Sequence, residues 1–290
     1  MPLSDSARLV KHAAKNNYAV AMINTNGATY DIVRAITEVA EEEKAPVILG
    51  GYQDNLNYRG FEYAANVMNF FAKKATVPIA THLDHGIAVA ACREAIEAGF
   101  TSVMFDGSKR PIDKNIAMTK EVVALAKQKA VSVEAEVGEL QKLGPDGQIE
   151  DVKNLADREE VERMSQETEI DMLAVGIGNA HGFYKGKPHI RMDLLEEFRN
   201  VCRVPLVLHG TTGLEDDVIT RCIELGIAKI NLGTLIRANY VKYTAEAIAA
   251  GEHNNHPWRV SQTVKNRLKD DIRKFIRLTG SSGKAEGLVI

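Results

Sequence analysis

Eight short, apolar, β-rich runs recur along the chain, each followed by an amphipathic helical stretch, and few folds accommodate that rhythm. The runs are YAVAMINT (18–25), PVILGG (46–51), VPIATHL (77–83), SVMFD (102–106), SVEAEVG (132–138), MLAVGIG (172–178), VPLVLHG (204–210) and KINLG (229–233). Strands that alternate with helices pair in parallel through right-handed crossovers. Eight such units are what a closed (β/α)8, or TIM, barrel needs. A doubly wound open sheet is the competitor. It often carries a glycine fingerprint after its first strand, and INTNGATY holds no GxGxxG. The helix after the first run shows one apolar face built from Tyr30, Ile32, Val33, Ile36 and Val39. No linker rich in Pro, Gly or Ser divides the chain. The expectation is one α/β barrel over 1–290, with a C-terminal extension (251–290) that adds a helix at roughly 258–278.

Composition narrows the partners. Formal charge is −3, from 36 basic and 39 acidic side chains, without a basic patch. Nucleic acid and anionic membranes are therefore not expected partners. Three cysteines, Cys92, Cys202 and Cys222, form no CxxC pair and are expected inside helices or strands, which suits a reducing compartment. The start of the chain lacks an apolar signal core, and no 18-residue apolar run occurs. A cytoplasmic protein is expected.

In such a barrel the active site lies at the C-terminal ends of the strands. The unusual polar residues collect there: Asn24 and Asn26 after strand 1, Asp84 and His85 on strand 3, Asp106 on strand 4, Glu134 and Glu136 on strand 5, Asn179 and His181 after strand 6, His209 on strand 7 and Asn231 on strand 8. Each has a bland reading alone, such as turn chemistry for Asp106 before Gly107. Together, His85, His181 and His209 come from three strands and converge on one mouth. Three imidazoles with an open position describe a catalytic zinc site. His82 falls on the same strand as His85 and is read as packed or supporting. HGTTG (209–213) and NLGT (231–234) open the helices after strands 7 and 8. Small residues there expose backbone N–H groups at helix N-termini, where anions bind.

In order along the chain, HLDHG, MFDGS, VEAEVG, LAVGIGNAHGFY, VPLVLHG and KINLGT resemble the class II, zinc-dependent ketose-bisphosphate aldolases, which include the fructose- and tagatose-bisphosphate enzymes. The resemblance extends over nearly the whole chain. It implies a metal-dependent retro-aldol cleavage of a sugar phosphate to dihydroxyacetone phosphate and an aldehyde, in a cytoplasmic homodimer or homotetramer. It places the zinc ligands at His85, His181 and His209 and the catalytic acid/base at Asp84. Asp106 and Glu136 match acids that hold a second or displaced metal. Gly182, Gly210, Thr211 and Thr212, with Asn231, Gly233 and Thr234, match the phosphate- and hydroxyl-binding segments, and Asn24 joins them at the mouth. The family also implies a monovalent cation, Na+ or K+, near that phosphate. A Schiff-base lysine, the requirement of the metal-free alternative, is not offered by the sixth run, and Lys229 is read as starting strand 8, at the wrong end.

Three segments depart from the family pattern. Its glycine-rich GG-x-E-D loop is replaced by ELQKLGPDGQIEDV, leaving Glu139, Asp146 and Glu150 as alternatives for the base. GGYQDN places Tyr52 and Asp54 where small residues are usual, and HPWR places Arg259 one position late. These three residues are read as possible specificity determinants, so the aldehyde half of the substrate either differs from that of fructose 1,6-bisphosphate or tolerates neutral changes. More remote readings are a zinc hydrolase and a barrel that binds metal and phosphate without catalysis.

Overall fold

A computed structural model describes residues 3–288 except 142, 144–146, 150–152, 185–187, 189 and 252. The chain opens with α1 (Ser6–Lys15), then β1 (Val20–Asn24), α2 (Tyr30–Glu42), β2 (Val47–Tyr52), α3 (Gln53–Arg59) and α4 (Phe61–Lys74). It continues through β3 (Ile79–Gly86), α5 (Val89–Ala98), β4 (Ser102–Phe105), α6 (Ile112–Lys127), β5 (Ser132–Val137), α7 (Arg158–Glu167), β6 (Met172–Val175) and α8 (Met192–Val201). It ends with β7 (Leu206–Leu208), α9 (Asp216–Glu224), β8 (Ile227–Leu232), α10 (Thr234–Ala249) and α11 (Pro257–Leu278). The eight strands follow one another around a closed parallel barrel in which β1 pairs with β8. The fold is therefore the expected (β/α)8 barrel, and α11 is the expected additional helix. Two helices go beyond the sequence reading: α1 precedes the first strand, and α3 follows β2 directly, ahead of α4.

Two apolar layers hold the barrel. The outer one fills the space between strands and helices, with Ile23, Leu49, Leu83, Val103 and Leu208 facing out toward Ile36, Met68 and Ile96. The inner one stacks Val20, Met22, Ile48, Ala80, Met104, Met172 and Val207. Leu9 and Val10 of α1 join that inner cluster, so α1 closes the N-terminal end of the barrel. Above the apolar plug the inward positions turn polar: His82 and Asp84 on β3, Glu134 and Glu136 on β5, Lys229 and Asn231 on β8, all buried. An apolar floor beneath a polar ceiling is what assigns the chemistry to the C-terminal mouth. Among the described residues no helix is long and apolar enough to cross a membrane.

Two slips in the strand ladder re-aim side chains. The β3–β4 register shifts between Leu83 and Gly86, and His85 takes φ +52°. Neighbours on a regular strand point to opposite faces; here the irregularity lets Asp84 and His85 both address the mouth. The β7–β8 ladder shifts where Leu206 pairs with Ile227 but Val207 with Lys229. Ala228 packs in the inner cluster, and past the slip Lys229 and Asn231 also point inward. Lys229 thus sits inside the barrel, in the middle of β8. This corrects its placement at the wrong end of the strand. Cys92 lies within α5 and Cys222 within α9, as read, but Cys202 caps the end of α8; all three are free thiols.

Candidate active site

At the end of β3, the His85 ring meets two others nearly edge to face. Its centroid is 5.0 Å from that of His181 and 4.7 Å from that of His209. His85 Nε2 lies 2.9 Å from His209 Nδ1, and one nitrogen from each of the three rings falls within 4.8 Å of the others. A second donor set, His85, Asp106 and Glu136, satisfies the same limit. The two sets share one ring, so they describe two neighbouring positions for an ion rather than independent sites. Three imidazoles, with carboxylates behind and no thiolate, form a donor set that suits zinc.

The carboxylates around His85 set its charge. Its Nδ1 is 2.9 Å from Asp106 Oδ2 and 3.4 Å from Glu136 Oε2, and its Nε2 is 3.9 Å from Asp84 Oδ1. Burial works to lower its pKa, but the charge of Asp84, the hydrogen bond to Asp106 and the charge of Glu136 together push it up to about 10. Burial would also raise Asp106, yet His85 and the Ser108 hydroxyl and amide hold it well below the usual carboxylate range. Glu136 moves the other way: dehydration, then the charge of Asp106, raises it well above the ordinary value. Burial and the positive His85 hold His209 well down, as a neutral imidazole. His181 sits at the solvent-reachable rim, but crowding at the mouth and the charge of His85 lower it to about 4. Metal ligation needs neutral rings; two of the three are neutral already, and the third holds a proton that an ion would displace.

Beside the histidines a cleft opens to solvent. Its lining includes Asn24, Tyr52, Asp84 and His181 together with Gly182, Gly210, Thr211, Thr212, Asn231, Gly233 and Thr234. Gly233 caps α10 with no side chain of its own to accept from the first N–H groups; the Leu235 amide donates to Thr212 Oγ1 at 3.4 Å, and Gly233 and Thr234 line the cleft. Gly210 stands at φ +62° so close to the Ala180 carbonyl that a Cβ would approach its oxygen to 2.3 Å; this pins the β7 turn against the His181 loop. Tyr184 ties the same two loops, its hydroxyl reaching Gly210 O at 2.8 Å and the Ala180 amide at 2.6 Å. The expected phosphate-binding residues therefore line one cleft.

The expected specificity residues divide. The Tyr52 ring stands edge-on to His85 at 6.0 Å, and burial, then the charges of Asp54, Asp84 and Asp106, raises its pKa. Asp54 is exposed in the first turn of α3, at the rim. Arg259 is not brought to the cleft within this chain. It lies against the Trp258 ring at 5.4 Å and lines a separate hollow with Ala247 and His253. Of the three alternatives for the base, Glu139 accepts a hydrogen bond from Asn154 at 2.5 Å, while Asp146 and Glu150 lie outside the described residues. Sequence reasoning missed Arg237, the only lysine or arginine among the described residues lining the cleft. Its signal was legible: a basic side chain in the first turns of a helix opposes the helix dipole, so something anionic is needed nearby. His82 is packed, as read, with Nδ1 2.8 Å from Ser102 Oγ.

The family model for class II fructose-bisphosphate aldolase matches residues 4–284. The chain belongs to the class II fructose-bisphosphate aldolase family. A 6-phospho-5-dehydro-2-deoxy-D-gluconate aldolase of Bacillus licheniformis is 40% identical over 96% of this chain and 94% of its own length. A fructose-bisphosphate aldolase of Geobacillus stearothermophilus is 37% identical over 98% of this chain and 99% of its own. Among solved structures, the YdjI aldolase of Escherichia coli K12 superposes with a TM-score of 0.85 at 31% identity, covering 98% of this chain and 99% of that one. The protein is an aldolase, a carbon–carbon lyase of a family that depends on metal, and the hydrolase reading falls away.

Proposed function

We propose that this aldolase uses zinc and cleaves a ketose phosphate reversibly to dihydroxyacetone phosphate and an aldehyde. The observation that carries the reading is the meeting of three imidazole nitrogens from β3, the loop after β6 and the end of β7, beside a cleft walled by the N-terminus of α10. His85, His181 and His209 would hold the ion, which supplies a Lewis acid for the ketone oxygen. Asp84 takes the proton from the hydroxyl next to the scissile bond in cleavage and returns it to the aldehyde oxygen in condensation. Asn231 Nδ2 donates to Asp84 Oδ1 at 3.1 Å and steadies it. The turn at Gly210–Thr212 and the α10 N-terminus receive the phosphate.

The far half of the substrate meets Tyr52 and Arg237. The two kinds of relative named above act, by their names, on substrates that end in a carboxylate or in a second phosphate. A lone guanidinium suits either, and Asp54 at the rim disfavours the more highly charged phosphate. The reading is therefore an aldehyde with an anionic end smaller than a phosphate. An oligomer built on α10 and the start of α11 is supported by exposed Val241, Ile248 and Trp258, and sedimentation tests it.

The deciding assay couples release of dihydroxyacetone phosphate to its reduction by NADH. Activity lost to a chelator and restored by zinc is expected. A zinc-loaded protein that releases no dihydroxyacetone phosphate from any ketose phosphate overturns the reading. In condensation, glyceraldehyde 3-phosphate outpacing short carboxylate-ended aldehydes by a wide margin would refute the substrate half alone.

A further inference from the structure

We propose that Lys229 is a positioning residue of the aldolase site, setting through Asn231 and Glu134 the orientation of Asp84 and His209. The inference rests on the reading of Asp84 and His209 given above. Lys229 is fully buried, and the slip between β7 and β8 turns it into the barrel beneath the mouth. Its Nζ lies 2.8 Å from Asn231 Oδ1 and 2.8 Å from Glu134 Oε2.

An ammonium only donates, so it selects the oxygen end of the Asn231 amide. The nitrogen end is thereby turned to Asp84 Oδ1 at 3.1 Å. The flipped amide would set NH2 against the ammonium and an oxygen against the carboxylate, two charged repulsions that the single neutral contact to His209 Nε2 does not offset. On the other arm, Glu134 Oε1 lies 2.9 Å from His209 Nε2. Asn231 Nδ2 stands 3.0 Å from the same ring nitrogen; its hydrogens have Asp84 as acceptor, whereas the carboxylate can only accept, so the geometry points to an imidazole proton on Nε2, with the Nδ1 lone pair facing His85 and the shared position. Glu134 Oε2 has no hydrogen-bond partner of its own, and Lys229 is the cation beside it. One buried ammonium therefore fixes the polarity of both arms.

A stability role does not account for this pair. Well-packed apolar side chains in place of a buried ion pair often stabilise as well or better, and the layer of the barrel interior directly beneath is apolar. Nor is Lys229 placed to attack a ketone. It does not line the cleft, whereas Asn231 above it does.

The test is Lys229→Met in the zinc-loaded protein, read by zinc affinity, by the visible spectrum after cobalt substitution, and by kcat and KM. The expected result is a zinc affinity weakened roughly 10–100-fold, shifted cobalt bands, and a kcat loss larger than the change in KM. A folded variant with wild-type zinc affinity and an unchanged cobalt spectrum overturns the proposal, even if its melting temperature falls. If the wild type binds zinc yet cleaves nothing, the aldolase reading fails while the metal readouts still judge Lys229. A second measurement needs no variant: nitrogen-15 NMR of the wild type should find the His209 proton on Nε2. A proton on Nδ1 overturns the proposal.

Discussion

The barrel mouth and the outer face of α2 both concentrate acids and bases, and they treat them in opposite ways. Along α2, Glu38 meets Lys265 at 2.7 Å and Lys269 at 3.1 Å, Glu42 meets Arg273 at 2.7 Å, and Glu43 meets Arg277 at 2.8 Å. Every one of these carboxylates has its cations, and water reaches most of them. The ladder fastens α11 to the barrel and has no group to spare. At the mouth, His82 Nε2 and Glu136 Oε2 are buried without a hydrogen bond, and His85 and Glu136 are shifted in opposite senses from Asp106 and His209. Dehydrated polar groups left short of partners are costly. Their persistence marks a place organised around a guest, whereas the outer ladder is organised around itself.

The contrast can be broken most sharply at the mouth. Asp84→Ala should leave zinc bound and lower cleavage by about 10²–10⁴-fold, while His209→Ala should abolish metal binding altogether; metal content and turnover measured on the same preparations separate the two. Near wild-type turnover in Asp84→Ala would overturn its role. Next in size, Arg237→Met should lower kcat/KM for anionic aldehydes about 10–100-fold, the worth of a charged hydrogen bond of about 1.5–3 kcal/mol. Neutral aldehydes should be little affected, and an equal loss on both would detach Arg237 from the far half of the substrate.

The smallest effect belongs to the outer ladder. Burial acts to raise Glu38, but hydrogen bonds from Lys265, Arg34 and Lys269 bring it down to about 2 from an ordinary 4.5. A carboxylate held low in the folded state contributes stability that is full above its unfolded value and is lost as pH falls. Glu38→Gln should therefore destabilise by up to about 1 kcal/mol near neutral pH, with activity unchanged. The gap in melting temperature from wild type should close between about pH 4.5 and 2. A gap that stays constant down to pH 2 would mean that the ion pairs are not its source.

Much of this was legible before folding. The strand runs were readable because a parallel barrel strand is buried on both faces and so reads as a short continuous apolar run. The histidines stood out because imidazole at the end of such a run is costly without a task. Less legible were α1 and α3: α1 precedes the first strand of the rhythm, and α3 is a single short helix on a turn-like segment. Arg259 was legible as a departure from the family pattern, but its surroundings were not: within this chain its guanidinium lies over the Trp258 ring.

By itself, the amino-acid order determined the barrel, the end at which chemistry occurs and the residue types that perform it, because periodicity and burial are local properties of a chain. Only the tertiary structure decided that Asp84 and His85 aim the same way and that Lys229 lies under the site. Those outcomes depend on ladder slips of a single residue and on contacts between side chains as far apart as His85 and His209, 124 positions along the chain, and no local pattern encodes either.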